Sequence, residues 1–293
     1  MTGAALSILI VSTFLHAGWN LLARHRRDHA PYFMFQMYVI IAAVGLLPFV
    51  VGEFLLGPLP KAVYLLGLVS GACCGVYSLG LTKGYTGTDF TVVYPVVRAL
   101  PVLLVGFADV LLGRHPTLPG WMGMALVAVG CLLIPLESFR SFRLSAYFHR
   151  GTLWILLAAS GMVGYTLIDK TAAGLVDKGP LSAARYNYLY LVMAGIVFAL
   201  LRLLTPPGDT TTQRTSWRKA ALGGVMIFVG YGLVLWVYQM VRQASYVLAF
   251  RQFSIVIGVV LAFILYRETG KFVRITATLL ITLGLVVIKI WGK

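Results

Sequence analysis

Long apolar runs alternate with short polar breaks along the whole chain. Ten runs can be read, at residues 3–23, 32–56, 61–82, 89–112, 118–136, 151–173, 181–204, 218–241, 244–266 and 272–291. Each comes close to the ~20 apolar residues that carry a helix across hydrocarbon, so each predicts a membrane-spanning helix. The breaks are clusters of charge and turn residues: Arg24 to Asp28, Gly57-Pro58-Leu59-Pro60, Arg114-His115-Pro116, Arg140 to Arg150, Asp177 to Pro180, Thr205-Pro206-Pro207-Gly208, and Arg267 to Lys271. Only short loops remain, with no room for a soluble domain. The first run is too long for a cleavable signal and lacks a basic start.

The longest polar stretches are 137–150 and 205–219, and the first splits the ten runs five and five. Sliding residues 77–134 onto 231–288 pairs Tyr77 with Tyr231, Leu81 with Leu235, Val105 with Val259 and Gly130 with Gly284. Nearer the start, Trp19-Asn20-Leu21-Leu22-Ala23-Arg24 faces Tyr165-Thr166-Leu167-Ile168-Asp169-Lys170, each with an aromatic five residues before a cation. An insertion in the 205–216 linker accounts for the change of offset between the two matches. The expected organisation is a first five-helix repeat at 1–136, a linker at 137–150 and a second repeat at 151–293. Five is odd, so the second repeat enters the membrane upside down. That is transporter architecture, with the solute site at the midplane between the halves.

Composition removes the soluble alternatives. Of 293 residues, 59% are apolar and 11% charged, against roughly 45–50% and 25% in soluble domains. The mean hydropathy is +0.88. A soluble fold of this size cannot hide that much apolar surface. The formal net charge of +15 would point to nucleic acid on a soluble chain. Here the cations cluster in short loops, the pattern of a cytoplasmic membrane face. Three cysteines, two of them adjacent at Cys73 and Cys74, offer no disulfide framework.

Several motifs then point to a family. The His16–Asn20 run HAGWN, the stretch Val93-Tyr94-Pro95-Val96-Val97-Arg98, and the stretch Tyr246 to Ser254 with Arg251-Gln252 resemble EamA-type members of the drug/metabolite transporter superfamily. So do the ends of the fourth and ninth runs, with Arg267-Glu268 closing the latter, and the glycine-containing fifth and tenth runs. The resemblance covers essentially the whole chain. It implies an all-α integral membrane protein of ten helices, a 5+5 inverted repeat around a central cavity, often exporting small metabolites. The family pattern has Arg-Glu where this chain carries Arg251-Gln252, and Gly-Glu where it carries Gly113-Arg114.

Candidate substrate-binding residues are Arg98, Arg251, Tyr94, Gln252, His16, Trp19, Asn20, Tyr77 and Trp236. A guanidinium at the bilayer centre costs at least ~2.5–3.5 kcal/mol, so mid-run Arg98 must face a cavity or a partner. One reading is a bidentate clamp for a carboxylate or phosphate; the other is an ion pair with Asp89 or Asp109. Arg251 either joins it at an anion site or snorkels to the interface. His16, Trp19 and Asn20 share a helical face. His16 and Asp109 are candidate proton relays, and His16 and Asn20 have helix-to-helix bonding as their alternative. Tyr77, Tyr94, Tyr165, Tyr231, Trp236 and Tyr238 form either an aromatic cage or ordinary packing. Asp89 with Lys83 and Asp169 with Lys170 read as interfacial charges. Gly67, Gly71 and Gly75, and separately Gly80 and Gly84, at four-residue spacings within each set, fit close helix packing within the chain. His25-Arg26-Arg27-Asp28 matches a kinase catalytic loop in letters alone, and His25 with His29 makes no metal site. No catalytic, metal or cofactor site is expected.

The leading function is a secondary transporter moving a small organic metabolite, anionic or amphipathic and including amino-acid-like solutes, by alternating access across the inner or plasma membrane. A lipid or lipid-linked carrier translocase is the alternative. The expected partners are the solute and the bilayer, not nucleic acid, with a monomer as the working unit. With the termini on one side, the opposite side receives fourteen Lys and Arg against seven. The positive-inside rule then places both termini outside; the family resemblance leans toward cytoplasmic termini.

Overall fold

Eleven helical segments form where the apolar runs lie. They are α1 (Gly3–Arg24), α2 (Ala30–Leu56), α3 (Lys61–Gly87), α4 (Phe90–Leu111), α5 (Leu118–Leu133), α6 (Thr152–Ala172), α7 (Pro180–Leu204), α8 (Trp217–Tyr238), α9 (Ala244–Arg251), α10 (Phe253–Tyr266) and α11 (Lys271–Trp291). This computed structural model describes residues 1–24, 30–87, 90–139, 152–205, 216–266 and 271–292. Among the described residues there is no strand, and eight helices are long and apolar enough to cross a membrane. Their outward side chains are apolar: Phe54 is 87% exposed, Leu111 86% and Leu203 82%. Such a surface is stable against lipid and not against water. The protein is an all-α, multi-pass integral membrane protein.

Four runs differ from expectation by three residues or more, or in continuity: the third runs on to Gly87 rather than 82, and the eighth stops at Tyr238 rather than 241. The fifth stops at Leu133 rather than 136, because Pro135 cannot continue the helix and disfavours it at Ile134. The ninth, expected as one helix over 244–266, is two. At the junction the Gln252 amide turns back to Ala249 O at 3.0 Å. Side chains take carbonyls that would otherwise propagate the helix: Gln252 Nε2 donates to Leu248 O at 3.2 Å and Ser254 Oγ to Arg251 O at 2.8 Å. Such side-chain competition is a regular cause of helix breaks. The α4 helix continues through Pro101.

Glycines set the closest helix contacts. A Cβ at Gly71 of α3 would lie 2.5 Å from Tyr190 O of α7, and one at Gly284 of α11 would lie 2.5 Å from Gly123 O of α5. Only a missing side chain allows backbones so near. Packing then follows a regular scheme: α1 lies on α8, α3 on α6 and α7, α2 on α7 and α8, α4 on α5 and α6, α5 on α11, and α10 on α1 and α11. At the end of the bundle that carries both termini, loops are tied together. Arg242 Nη2 donates to Gly113 O at 3.0 Å, Thr117 N to Tyr246 Oη at 3.0 Å, and Lys289 Nζ to Met1 O at 2.7 Å.

Candidate functional site

α1, α2, α3, α4, α6, α7, α8 and α9 converge on one cavity, with about 70 Å³ in which a water molecule can be centred. At ~10–15 Å³ per water, that is room for about five waters. One wall carries His16 and Trp19 of α1 with Arg98 of α4; another carries Arg251 of α9 and a cluster of tyrosines. Tyr190 and Tyr231 stack with centroids 4.9 Å apart, and Tyr165 meets Tyr77, Tyr190 and Tyr231 edge-on at 5.8–5.9 Å. These edge-to-face distances are attractive for aromatic pairs. The Arg251 guanidinium sits 5.0 Å over the Tyr231 ring, a cation–π contact.

The electrostatics are one-sided. Among the described residues no Asp or Glu lines the cavity, while two arginines do. Arg98 is 7% exposed and Arg251 9%, so neither snorkels to an interface. Arg98 Nη2 donates to His16 Nε2 at 3.1 Å, and Trp19 Nε1 donates to His16 Nδ1 at 3.2 Å. A neutral imidazole has a single acceptor nitrogen, so it cannot satisfy both donors. Arg251 Nη1 is buried without a hydrogen-bond partner among the described residues.

The expected site residues divide between cavity and packing. His16, Trp19, Tyr77, Arg98 and Arg251 line the cavity. Asn20 does not; its amide donates to His16 O at 2.7 Å, one turn back on α1. Gln252 is spent on the helix break, and Trp236 packs against the core. Asp109 lies at the tied end of the bundle, where it accepts from Ser245 N at 2.8 Å and Oγ at 2.7 Å, with Arg114 at 3.7 Å. It caps α9 and is not beside Arg98. The side chains of Tyr94 and Asp89, and all of Glu268, lie outside the described residues.

Asp169 is a correction. The sequence reading put it at the interface, yet it is fully buried. Its Oδ1 accepts from Tyr186 Oη at 2.7 Å and from Ser70 Oγ, and its Oδ2 accepts from Tyr231 Oη. The one sequence signal was Tyr165 four residues earlier on the same helical face. Lys170 is half-committed inward as well, donating to Tyr238 O at 2.6 Å. A partly buried carboxylate, Glu53, accepts from Arg185 Nε at 2.8 Å, from Tyr64 Oη and, at 3.2 Å, from Leu59 N.

Residues 3–136 match the EamA-like transporter family. The motif resemblance and the family match thus agree over the first five helices. No protein of curated function matches the sequence. A solved crystal structure superposes with a TM-score of 0.73, covering 100% of this chain and 98% of that chain at 17% identity. That likeness shows a shared fold.

Proposed function

We propose that the protein is a secondary transporter for a small organic anion with an apolar or aromatic body. The observation that carries this reading is the cavity itself: two buried guanidiniums, an Arg251 Nη1 without a hydrogen-bond partner, and no acid among the described lining residues. A carboxylate or phosphate supplies the missing acceptors, and Arg takes it as a planar, bidentate fork. The tyrosine cluster and Trp19 offer faces for the rest of the solute.

Alternating access between two inverted halves moves the solute, with repeats at 1–136 and 151–293 joined by 137–150. The helix pairing supports it. Exchanging α1 with α6, α2 with α7, α3 with α8, α4 with the α9–α10 pair and α5 with α11 maps the pairs α1–α8, α2–α8, α4–α6 and α4–α5 onto α6–α3, α7–α3, α1–α9 with α1–α10, and α10–α11. The working unit is a monomer in the inner or plasma membrane, and the direction is export.

The purified protein tests this with benzoate as the probe. Benzoate should raise the thermal midpoint where equal chloride does not, and labelled benzoate should cross proteoliposome walls. Arg98→Ala should remain monodisperse and lose the benzoate-specific stabilisation. Stabilisation that survives in Arg98→Ala, or flux of a labelled phospholipid in place of benzoate, refutes the reading.

A further inference from the structure

Asp169 is the buried acid beside the cavity that the solute site does not use. We propose that Asp169 is the proton site of an anion–proton cotransport, loaded through Tyr231 when an anion occupies the Arg251 side of the cavity. The inference rests on the anion reading above and adds the coupling.

The geometry is a relay of three groups. Arg251 lies 5.0 Å over the ring of Tyr231, a cavity wall. The Tyr231 hydroxyl donates to Asp169 Oδ2, and Ser70 and Tyr186 donate to Oδ1. The carboxylate is fully buried and its hydrogen-bond partners are neutral hydroxyls. An ionised acid in such a place is tolerated only while a nearby cation compensates it. Arg251 is the cation over the Tyr231 ring whose hydroxyl meets Asp169.

The other charged and titratable groups around it are committed elsewhere. Lys170, next on α6, is turned to Tyr238 O at 2.6 Å. On α4, Arg98 meets His16 and Asp109 meets Ser245 and Arg114. From α3 come Cys73, half-buried, and Cys74, buried; from α7 and α8 come the neutral phenols of Tyr190 and Tyr238.

Binding therefore changes the balance at Asp169. With the cavity empty, Arg251 favours the carboxylate. An anion on Arg251 cancels that charge and repels the carboxylate, so Asp169 takes one proton from cavity water. One anion and one proton then occupy the site together. Release of the anion restores the bare guanidinium, and the proton leaves Asp169 to water on that side. The protonated acid turns one of its acceptors into a donor, which alters the tie joining α3, α6, α7 and α8 as the cavity loads.

Calorimetric titration of benzoate into the full-length detergent-purified protein at pH 7, in two buffers of different ionisation enthalpy, counts the linked protons. The wild type should take up close to one proton per benzoate bound. Asp169→Asn should bind benzoate with near-zero uptake, and His16→Gln should keep the wild-type proton count per benzoate for whatever benzoate it still binds. Tyr186→Phe removes a donor to the carboxylate without touching the cavity, so its pH profile of uptake should move to higher pH; a purely structural tyrosine would leave the profile in place. This variant decides the matter if Asp169→Asn does not fold. Uptake that persists in Asp169→Asn, uptake lost in His16→Gln, or binding by the wild type without uptake overturns the coupling and leaves the anion site standing. No benzoate binding by the wild type overturns both.

Discussion

Arg98 and Arg251 approach one cavity from different helices and differ in what holds them. Arg98 reaches His16, which already meets the indole of Trp19; Arg251 rests on Tyr231. Hydrogen bonds to charged groups contribute about 1.5–3 kcal/mol each. Arg98→Lys keeps the charge and loses the fork, so KM for benzoate flux should rise roughly tenfold or more, while the apo melting temperature stays near the wild-type value. A comparable fall in apo stability in Arg98→Lys would show that the residue staples helices instead. Glu53 is the contrasting case, an ion pair far from the cavity. Glu53→Gln leaves Arg185 without its counter-charge and should cost on the order of 2 kcal/mol, seen as a lower melting temperature with benzoate affinity unchanged.

Among the elements, contact between helices depends on what the sequence omits. Gly71 lets α3 and α7 touch at backbone distance, with Met193 Cβ a further 2.6 Å from any added Cβ. Gly71→Val should destabilise by about 1–3 kcal/mol through overpacking, and since α7 also carries Tyr186 and Tyr190, benzoate binding should weaken alongside the thermal midpoint. An unchanged midpoint would mean that the helices separate without cost. The broken ninth span matters for a different reason. It ends α9 at Arg251 and so fixes the guanidinium beside Tyr231 at the end of a short helix. Ser254→Ala frees the Arg251 carbonyl to continue the ladder.

At the scale of the molecule, the end bearing the termini is laced shut by bonds between the α4–α5 and α8–α9 connections, including Gln243 Nε2 to His115 O at 3.4 Å. Alternating access requires these loops to part. Cysteines placed at His115 and Gln243 and joined by a short, thiol-cleavable cross-linker should stop benzoate flux, and reductant should restore it. Flux that continues through the cross-link would exclude opening at that end. The loop charges make a separate prediction about which end this is. Fourteen cations against seven put it outside the cytoplasm, so a C-terminal reporter that works only in the cytoplasm should stay silent.

The places and order of the apolar helices were legible in the sequence, because a helix in lipid must satisfy its own backbone and needs a long apolar run to do so. The arginines were legible too, since a mid-span guanidinium is too costly to be neutral decoration. What the sequence did not contain was the set of neighbours. Asp169, four residues after Tyr165 on the same helical face, read as an interfacial charge until α3, α7 and α8 brought Ser70, Tyr186 and Tyr231 around it. Asp109 read as a partner for Arg98 until the fold placed it over the start of α9. A run of residues fixes how far a side chain lies along its own helix. Only packing between helices fixes what faces it, and at low dielectric that neighbour decides whether a charge becomes a cap, a staple or a proton site.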